Sequence, residues 1–147
     1  MLWRTFTATQ EDYYSMLDFI MKEAEKSDVP DKLQTFLELG FEEAVANIIN
    51  YAYPEKDAGK IAIRAYREAE HFFIELKDFG IPFNPLLRQE SAEMPADLQT
   101  AKVGGLGISL MRRIFDKMTY HFERVDNFFC NHLILGMKLS ENGEDFL

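Results

Sequence analysis

Two alternating runs joined by a two-residue link restrict what this chain can fold into more than any other feature. Residues 59–68 read Gly-Lys-Ile-Ala-Ile-Arg-Ala-Tyr-Arg-Glu, and residues 71–78 read His-Phe-Phe-Ile-Glu-Leu-Lys-Asp. Ile61, Ile63 and Ala65 fall on one side of the first run, the pattern of a half-buried strand. Ala69-Glu70 is too short for a crossover, so the two runs must pair antiparallel as a hairpin. A sheet with one apolar face needs a second layer to cover it.

Helical spacing supplies that layer. Tyr13, Met16, Leu17, Ile20, Met21 and Ala24 recur at intervals of three and four, which predicts a helix ending near Ser27 and capped by Thr9 or Asp12. Val29-Pro30-Asp31 breaks it, and Asp31 is expected to cap a second helix carrying Leu33, Phe36 and Leu37 and continuing through Glu38–Pro54. Gly40 inside that helix costs about 1 kcal/mol relative to alanine and is expected to mark a close approach to another element. Ile108, Leu110, Met111, Ile114 and Phe115 predict a third helix. Leu2–Ala8 reads as a short edge strand. Met118–Glu123 and Phe128–Leu139 read as a second hairpin, joined through Val125-Asp126-Asn127. Between the hairpins, residues 86–103 show no sustained period and include Pro95. A loop that long in a compact domain is functional or disordered. The order strand, helix, helix, hairpin, loop, helix, hairpin implies an α+β fold: a two-layer α/β sandwich with a mixed, mostly antiparallel sheet covered on one face by helices.

Composition bounds the function. At 147 residues the chain is read as one domain, 1–147, with 47% hydrophobic and 14% aromatic residues, enough for a core and unlike a disordered segment. A formal charge of −9 argues against binding a nucleic-acid backbone. It does not argue against a nucleotide, whose phosphates backbone dipoles and a cation can hold. The single cysteine, Cys130, excludes an internal disulfide framework and lies in the apolar run Phe128-Phe129-Cys130, as a buried inert thiol would. His71, His121 and His132 sit on three predicted strands without metal-ligand spacing or a helical phosphoacceptor context. Met1–Thr5 lacks a signal-peptide core, and no stretch approaches the roughly 20 apolar residues of a membrane span. A soluble, cytoplasmic protein is expected.

Three short patterns carry chemistry. Within the predicted helix Glu38–Pro54, Phe41, Val45, Ile48 and Ala52 share one side, while Glu43, Asn47 and Asn50 fall in a narrow arc opposite. Glu43 and Asn47 are four apart and hence surface neighbours. Such a stripe can activate a hydroxyl, hold a metal ion, or be a solvated polar face, and taken alone the last is the ordinary case. Asp78-x-Gly80 ends a strand. Its carboxylate can accept a hydrogen bond from the exocyclic amine of adenine, and its glycine permits close backbone approach, although Asp-x-Gly alone is an ordinary turn. Gly104-Gly105-Leu106-Gly107 precedes a helix, where exposed N–H groups and the helix N-terminus together can cradle phosphates. It is neither a Walker loop nor a dinucleotide fingerprint, since no Gly-Lys-Ser/Thr follows and no strand leads in.

In this order and spacing, with a long loop between the second and third, the patterns resemble the GHKL ATPase superfamily, and within it the bacterial anti-sigma-factor serine/threonine protein kinases. Glu43-Ala44-Val45-x-Asn47-x-x-x-Tyr51-Ala52-Tyr53 matches their N box, Asp78-x-Gly80-x-x-Phe83 their first glycine box, Pro95-x-Asp97-Leu98 their lid, and Gly104-Gly105-Leu106-Gly107-Ile108-x-Leu110 their second glycine box. The resemblance spans nearly the whole chain. It implies a Bergerat-type ATP-binding fold with an ATP lid at about 84–103. Glu43 would be the general base. Asn47, Asn50, Asp78, Gly80, Lys102, Gly104, Gly105, Leu106 and Gly107 would contact the nucleotide, and Asn47 would also hold Mg²⁺. The activity implied is ATP-dependent phosphorylation of a small STAS-type anti-sigma-factor antagonist by a homodimeric kinase that alternatively sequesters a sigma factor. A nucleotide-gated binding module without phosphotransfer is the alternative reading. An ATP-binding fragment serving a histidine phosphotransfer system is a third, disfavoured by the acidic residue at position 43.

Overall fold

The computed structural model describes residues 2–54, 59–87 and 106–139. Strand β1 (Arg4–Thr7) leads into helix α1 (Gln10–Lys26) through a reciprocal cap. Thr9 Oγ1 accepts from the Asp12 N–H at 3.1 Å, and Asp12 Oδ2 accepts from the Thr7 N–H at 3.0 Å, so both candidate capping residues are used. The helix ends at Ser27, followed by Asp28 in the left-handed region at φ 57. Helix α2 (Asp31–Asn47) departs from expectation at its start. Pro30, not Asp31, is the capping residue, because its fixed φ of −56 leaves Asp31 as the first helical residue, and no side chain caps the turn.

The larger departure lies at the far end of α2. The sequence predicts one continuous α-helix to Pro54, but after Asn47 the backbone widens into a π turn over Ile48–Ala52, closed by Tyr53 N–H on Ile48 O at 3.2 Å. Two hairpins follow: β2 (Lys60–Glu68) with β3 (His71–Asp78), then helix α3 (Leu106–Ile114) and β4 (Lys117–Val125) with β5 (Phe128–Lys138). The first hairpin turns through Ala69, held at φ 53. The second turns through Asp126-Asn127 alone, so Val125, expected in the turn, pairs with Phe128 as the last strand residue.

The sheet order is β1-β2-β3-β5-β4, and every pairing among the described strands is antiparallel. The sheet was expected to be mixed. The β4–β5 hairpin sets β5 directly against β3, so the parallel strands β3 and β4 are never neighbours. The pleat then sorts the residues. Phe72, Ile74, Leu76 and Asp78 of β3 point to the helices and are buried, with Ile61 and Ile63 beside them on β2. From the helical layer Met16, Ile20, Leu33, Leu37 and Phe41 meet them, each such burial contributing about 1.5–3 kcal/mol. Gly40 does mark a close approach: a Cβ there would lie 2.5 Å from the Phe115 ring, which packs onto α2.

The opposite sheet face has no helix over it among the described residues. A polar network seals it instead. Glu75 is buried, and its carboxylate accepts from Arg64 Nε at 2.8 Å, Tyr66 Oη at 2.7 Å and His132 Nε2 at 2.6 Å. Burial pushes the Glu75 carboxyl up, but these donors outweigh it and hold the group below its usual range. Arg64 stacks over Trp3 at 4.7 Å.

Candidate nucleotide site

The stripe on α2 is not a solvated face. Glu43 and Asn47 turn toward α3. Asn47 Nδ2 lies 3.8 Å from Met111 Sδ, and no described group donates to Asn47 Oδ1. Gly107, in the first turn of α3, sits so close that a Cβ on it would be 2.2 Å from Glu43 Oε2. Burial, and secondarily the neighbouring Glu42, raise the Glu43 carboxyl above its ordinary range. Phe41, Val45, Ile48 and Ala52 are buried on the sheet side, as the spacing predicts.

Asn50 is separated from its expected companions. It lies in the π turn, exposed, and lines a different cleft with Ala8, Thr9, Gln10, Ile49, Tyr53 and Pro54. The wider turn changes the angular step per residue, so a stripe drawn at 3.6 residues per turn ends at Asn47.

The π turn also fastens α2 to the end of β3. Tyr53 Oη donates to Lys60 O and accepts from the Phe79 N–H, each at 2.8 Å. Ile81 N–H reaches Ala52 O at 2.9 Å. Gly80 makes this contact possible, since a Cβ there would lie 2.2 Å from the same carbonyl oxygen. The close approach that this glycine permits within the chain is to Ala52. Tyr51 stacks on Phe83 with ring centroids 5.0 Å apart.

Asp78 is 3% exposed. Its Oδ1 accepts from the Gly80 N–H at 3.0 Å and from Asn131 Nδ2 at 2.8 Å, while no described group donates to Oδ2. Burial pushes the carboxyl up to about 6, against the lowering effect of those two bonds. The carboxylate is thus anchored through Oδ1 at the end of β3, between the 80–83 turn and β5.

Asn131 escaped the sequence reading. It is 3% exposed, pairs in register with Asp78, and bonds in four directions: Nδ2 donates to Asp78 Oδ1 and Ile81 O, and Oδ1 accepts from the Phe83 N–H and Tyr120 Oη. One side chain thus fixes both Asp78 and the 80–83 turn. A signal was present, namely an asparagine inside the apolar run of a central strand, where a carboxamide persists only with partners. Leu106 and Gly107 open α3, where first-turn N–H groups have no partner four residues back. Lys102, Gly104, Gly105 and the segment Pro95–Leu98 lie outside the described residues. Of the expected lid, only residues 84–87 are described. They form a tight turn, with Leu86 N–H on Asn84 Oδ1 at 2.9 Å and Arg112 Nη2 on Leu86 O at 2.9 Å.

A helical layer on an antiparallel sheet carries a carboxylate–carboxamide pair turned against α3 and a buried carboxylate at the end of a central strand, an arrangement suited to a nucleotide. The family model described as the histidine kinase-like ATPase domain matches residues 6–135, and the chain belongs to that family. Its sequence is similar to the serine-protein kinase RsbW of Listeria monocytogenes, serotypes 4a (strain HCC23) and 4b (strain CLIP80459). Each is 21% identical over 111 residues, covering 74% of this chain and 71% of the relative. Among solved structures, a nucleotide-free catalytic domain of the histidine kinase ThkA is similar at 17% identity with a TM-score of 0.47, covering 93% of this chain and 97% of that one. No described helix is long and apolar enough to cross a membrane.

Proposed function

We propose that this protein is an ATP-dependent protein serine/threonine kinase that acts as an anti-sigma factor and phosphorylates a small STAS-type antagonist. One observation carries the reading. Glu43 and Asn47, one helical turn apart, turn inward against α3, Glu43 at its first turn and Asn47 at Met111, on the helix whose continuation is tied to the Asp78–Ile81 turn. The RsbW relatives, which are serine-protein kinases, support the same class.

The residues fit the groups that the family implies. Asp78 Oδ2 is the acceptor for the exocyclic amine of adenine. Asn47 Oδ1, with its amide nitrogen turned to Met111, suits a hard cation. A bound Mg²⁺ would neutralise charge on the transferring phosphate. The N–H groups of Leu106 and Gly107, with Gly104, Gly105 and Lys102, would hold phosphates. Asn50, in the π turn, would be at most a peripheral contact. Glu43, its carboxyl raised by burial, accepts the proton of an incoming serine hydroxyl. Residues 84–103 serve as the lid, and the molecule works as a cytoplasmic homodimer.

The test is incubation of the purified chain with labelled ATP, Mg²⁺ and small partner proteins encoded beside it. Label on a serine or threonine of one partner is the expected result. Glu43→Gln should keep nucleotide affinity and lose transfer by about 10²–10⁴-fold, the usual worth of a general base. Asn47→Ala should lose Mg²⁺-dependent affinity and transfer together. If both variants transfer at the wild-type rate, the mechanism is wrong. ATP binding without transfer to any partner returns the molecule to a nucleotide-gated binding module.

A further inference from the structure

A cleft of about 760 Å³ opens between the C-terminal half of α1 and the edge formed by β1 and β2, lined in part by Leu2, Arg4, Phe19, Lys22, Lys26 and Arg67. It belongs to a different part of the molecule from the nucleotide site. Asp78 pairs with Ile61 near the start of β2, and Arg67 lies six residues further along, about 20 Å away at roughly 3.4 Å per residue. In a chain with net charge −9, four of the 16 Lys and Arg side chains converge here, against Asp18 and Glu23 as the acids of the lining.

Two of the four cations are fixed. Arg67 Nη1 donates to Ser27 O at 2.9 Å and its Nε to Ala69 O at 3.2 Å, which pins the guanidinium across the end of α1. Arg4 stacks over the Phe19 ring at 5.2 Å. The other two, Lys22 and Lys26, lie one turn apart on α1 and among the described residues pair with exposed Asp18 at 2.9 Å and half-exposed Glu23 at 3.5 Å. Surface pairs of this kind exchange partners at little cost. Leu2, 85% exposed, adds an unburied apolar side chain at the mouth.

We propose that this cleft docks an acidic, extended segment of a protein partner. The shape and spacing of the cations decide the class of occupant. They are strung along the groove on three elements, where a lone phosphate would need them aimed at one point. Lys22 and Lys26 are about 6 Å apart along the helix axis, close to the ~7 Å repeat of alternate side chains on an extended peptide. Carboxylates at every second position would meet the cations, while the intervening apolar side chains rest on Leu2 and Phe19. The volume lies within the ~300–1,000 Å³ typical of ligand clefts and holds a few residues of such a segment. This docking does not require phosphotransfer at the nucleotide site.

The probe is a fluorescein-labelled octapeptide alternating leucine and glutamate, titrated with the full chain and followed by anisotropy. Saturable binding that weakens with salt is expected. Lys22→Glu combined with Lys26→Glu, both at exposed helix positions, should cut affinity by about tenfold or more while leaving ATP affinity unchanged. The same peptide with glutamine for glutamate should bind no better than that variant. Equal binding of the two peptides, equal binding of variant and wild type, or a dissociation constant above about 1 mM overturns the proposal. Displacement by inorganic phosphate, where sodium chloride of the same ionic strength does nothing, also overturns it by assigning a small-anion site. So does a dimer that dissociates in the double variant while neither form binds peptide.

Discussion

Replacing Asp78 by asparagine should make the protein more stable at neutral pH and less able to bind ATP. The carboxyl is 3% exposed and its ionisation is pushed from 3.8 up to about 6, by burial first and against hydrogen bonds from Asn131 and Gly80. Between those two values the unfolded chain has lost its proton while the folded chain still holds one. Raising the pH through that window therefore favours the unfolded state, and above about pH 6 the whole penalty is present. At roughly 1.4 kcal/mol per tenfold change, the gap is worth at most about 3 kcal/mol. Asparagine has the same shape, and its Oδ1 can still accept from Asn131 and Gly80, but it carries no charge to bury. Asp78→Asn should gain up to about 3 kcal/mol at pH 7.5, roughly 6–12 °C in melting temperature for a domain of this size, and nothing at pH 4. The assay is thermal unfolding of both forms from pH 4 to 8. In the same variant an amide N–H₂ replaces Oδ2 and meets the adenine amine donor to donor, so ATP affinity should fall about 10–100-fold. A stability difference that does not change with pH refutes the electrostatic argument. Unchanged ATP affinity refutes the assignment of Oδ2.

Gly80→Ala places a methyl 2.2 Å from Ala52 O, so it should destabilise the fold by about 1–3 kcal/mol and weaken ATP binding by loosening the Asp78 turn, read by melting temperature and nucleotide titration. Asn131→Ala removes partners from Asp78, Ile81, Phe83 and Tyr120 together and should cost about 2–4 kcal/mol, with ATP affinity falling even though the side chain is not assigned to the nucleotide. Guanine nucleotides should stabilise the protein far less than adenine nucleotides, because Asp78 would face a carbonyl. Equal melting shifts with ATP and GTP would contradict that assignment.

Periodicity alone placed the three helices and both hairpins, because a period of two or 3.6 in apolar residues records which face is buried, and burial is the largest favourable term in folding. β3 was legible to the residue, His71–Asp78, since it alternates cleanly and ends in a turn signal. Gly40 was legible as a contact because a glycine inside a helix is costly without one. The candidate site was legible as three patterns whose order mattered more than any one of them. What the sequence left open depends on distant parts of the chain meeting. The π turn at Ile48–Ala52 is held by Tyr53, Lys60, Phe79 and Ile81, groups up to nearly thirty residues apart, and no local signal announces it, yet it parts Asn50 from Glu43 and Asn47. Whether Glu43 and Asn47 faced water or α3 was decided by packing across more than sixty residues of chain. Asn131 acquires its role only because β5 pairs with β3 in the register that sets it opposite Asp78. The elements follow from local spacing. The chemistry of the site follows from which side chains the sheet register and helix packing bring within hydrogen-bond range, and that is a property of the tertiary fold.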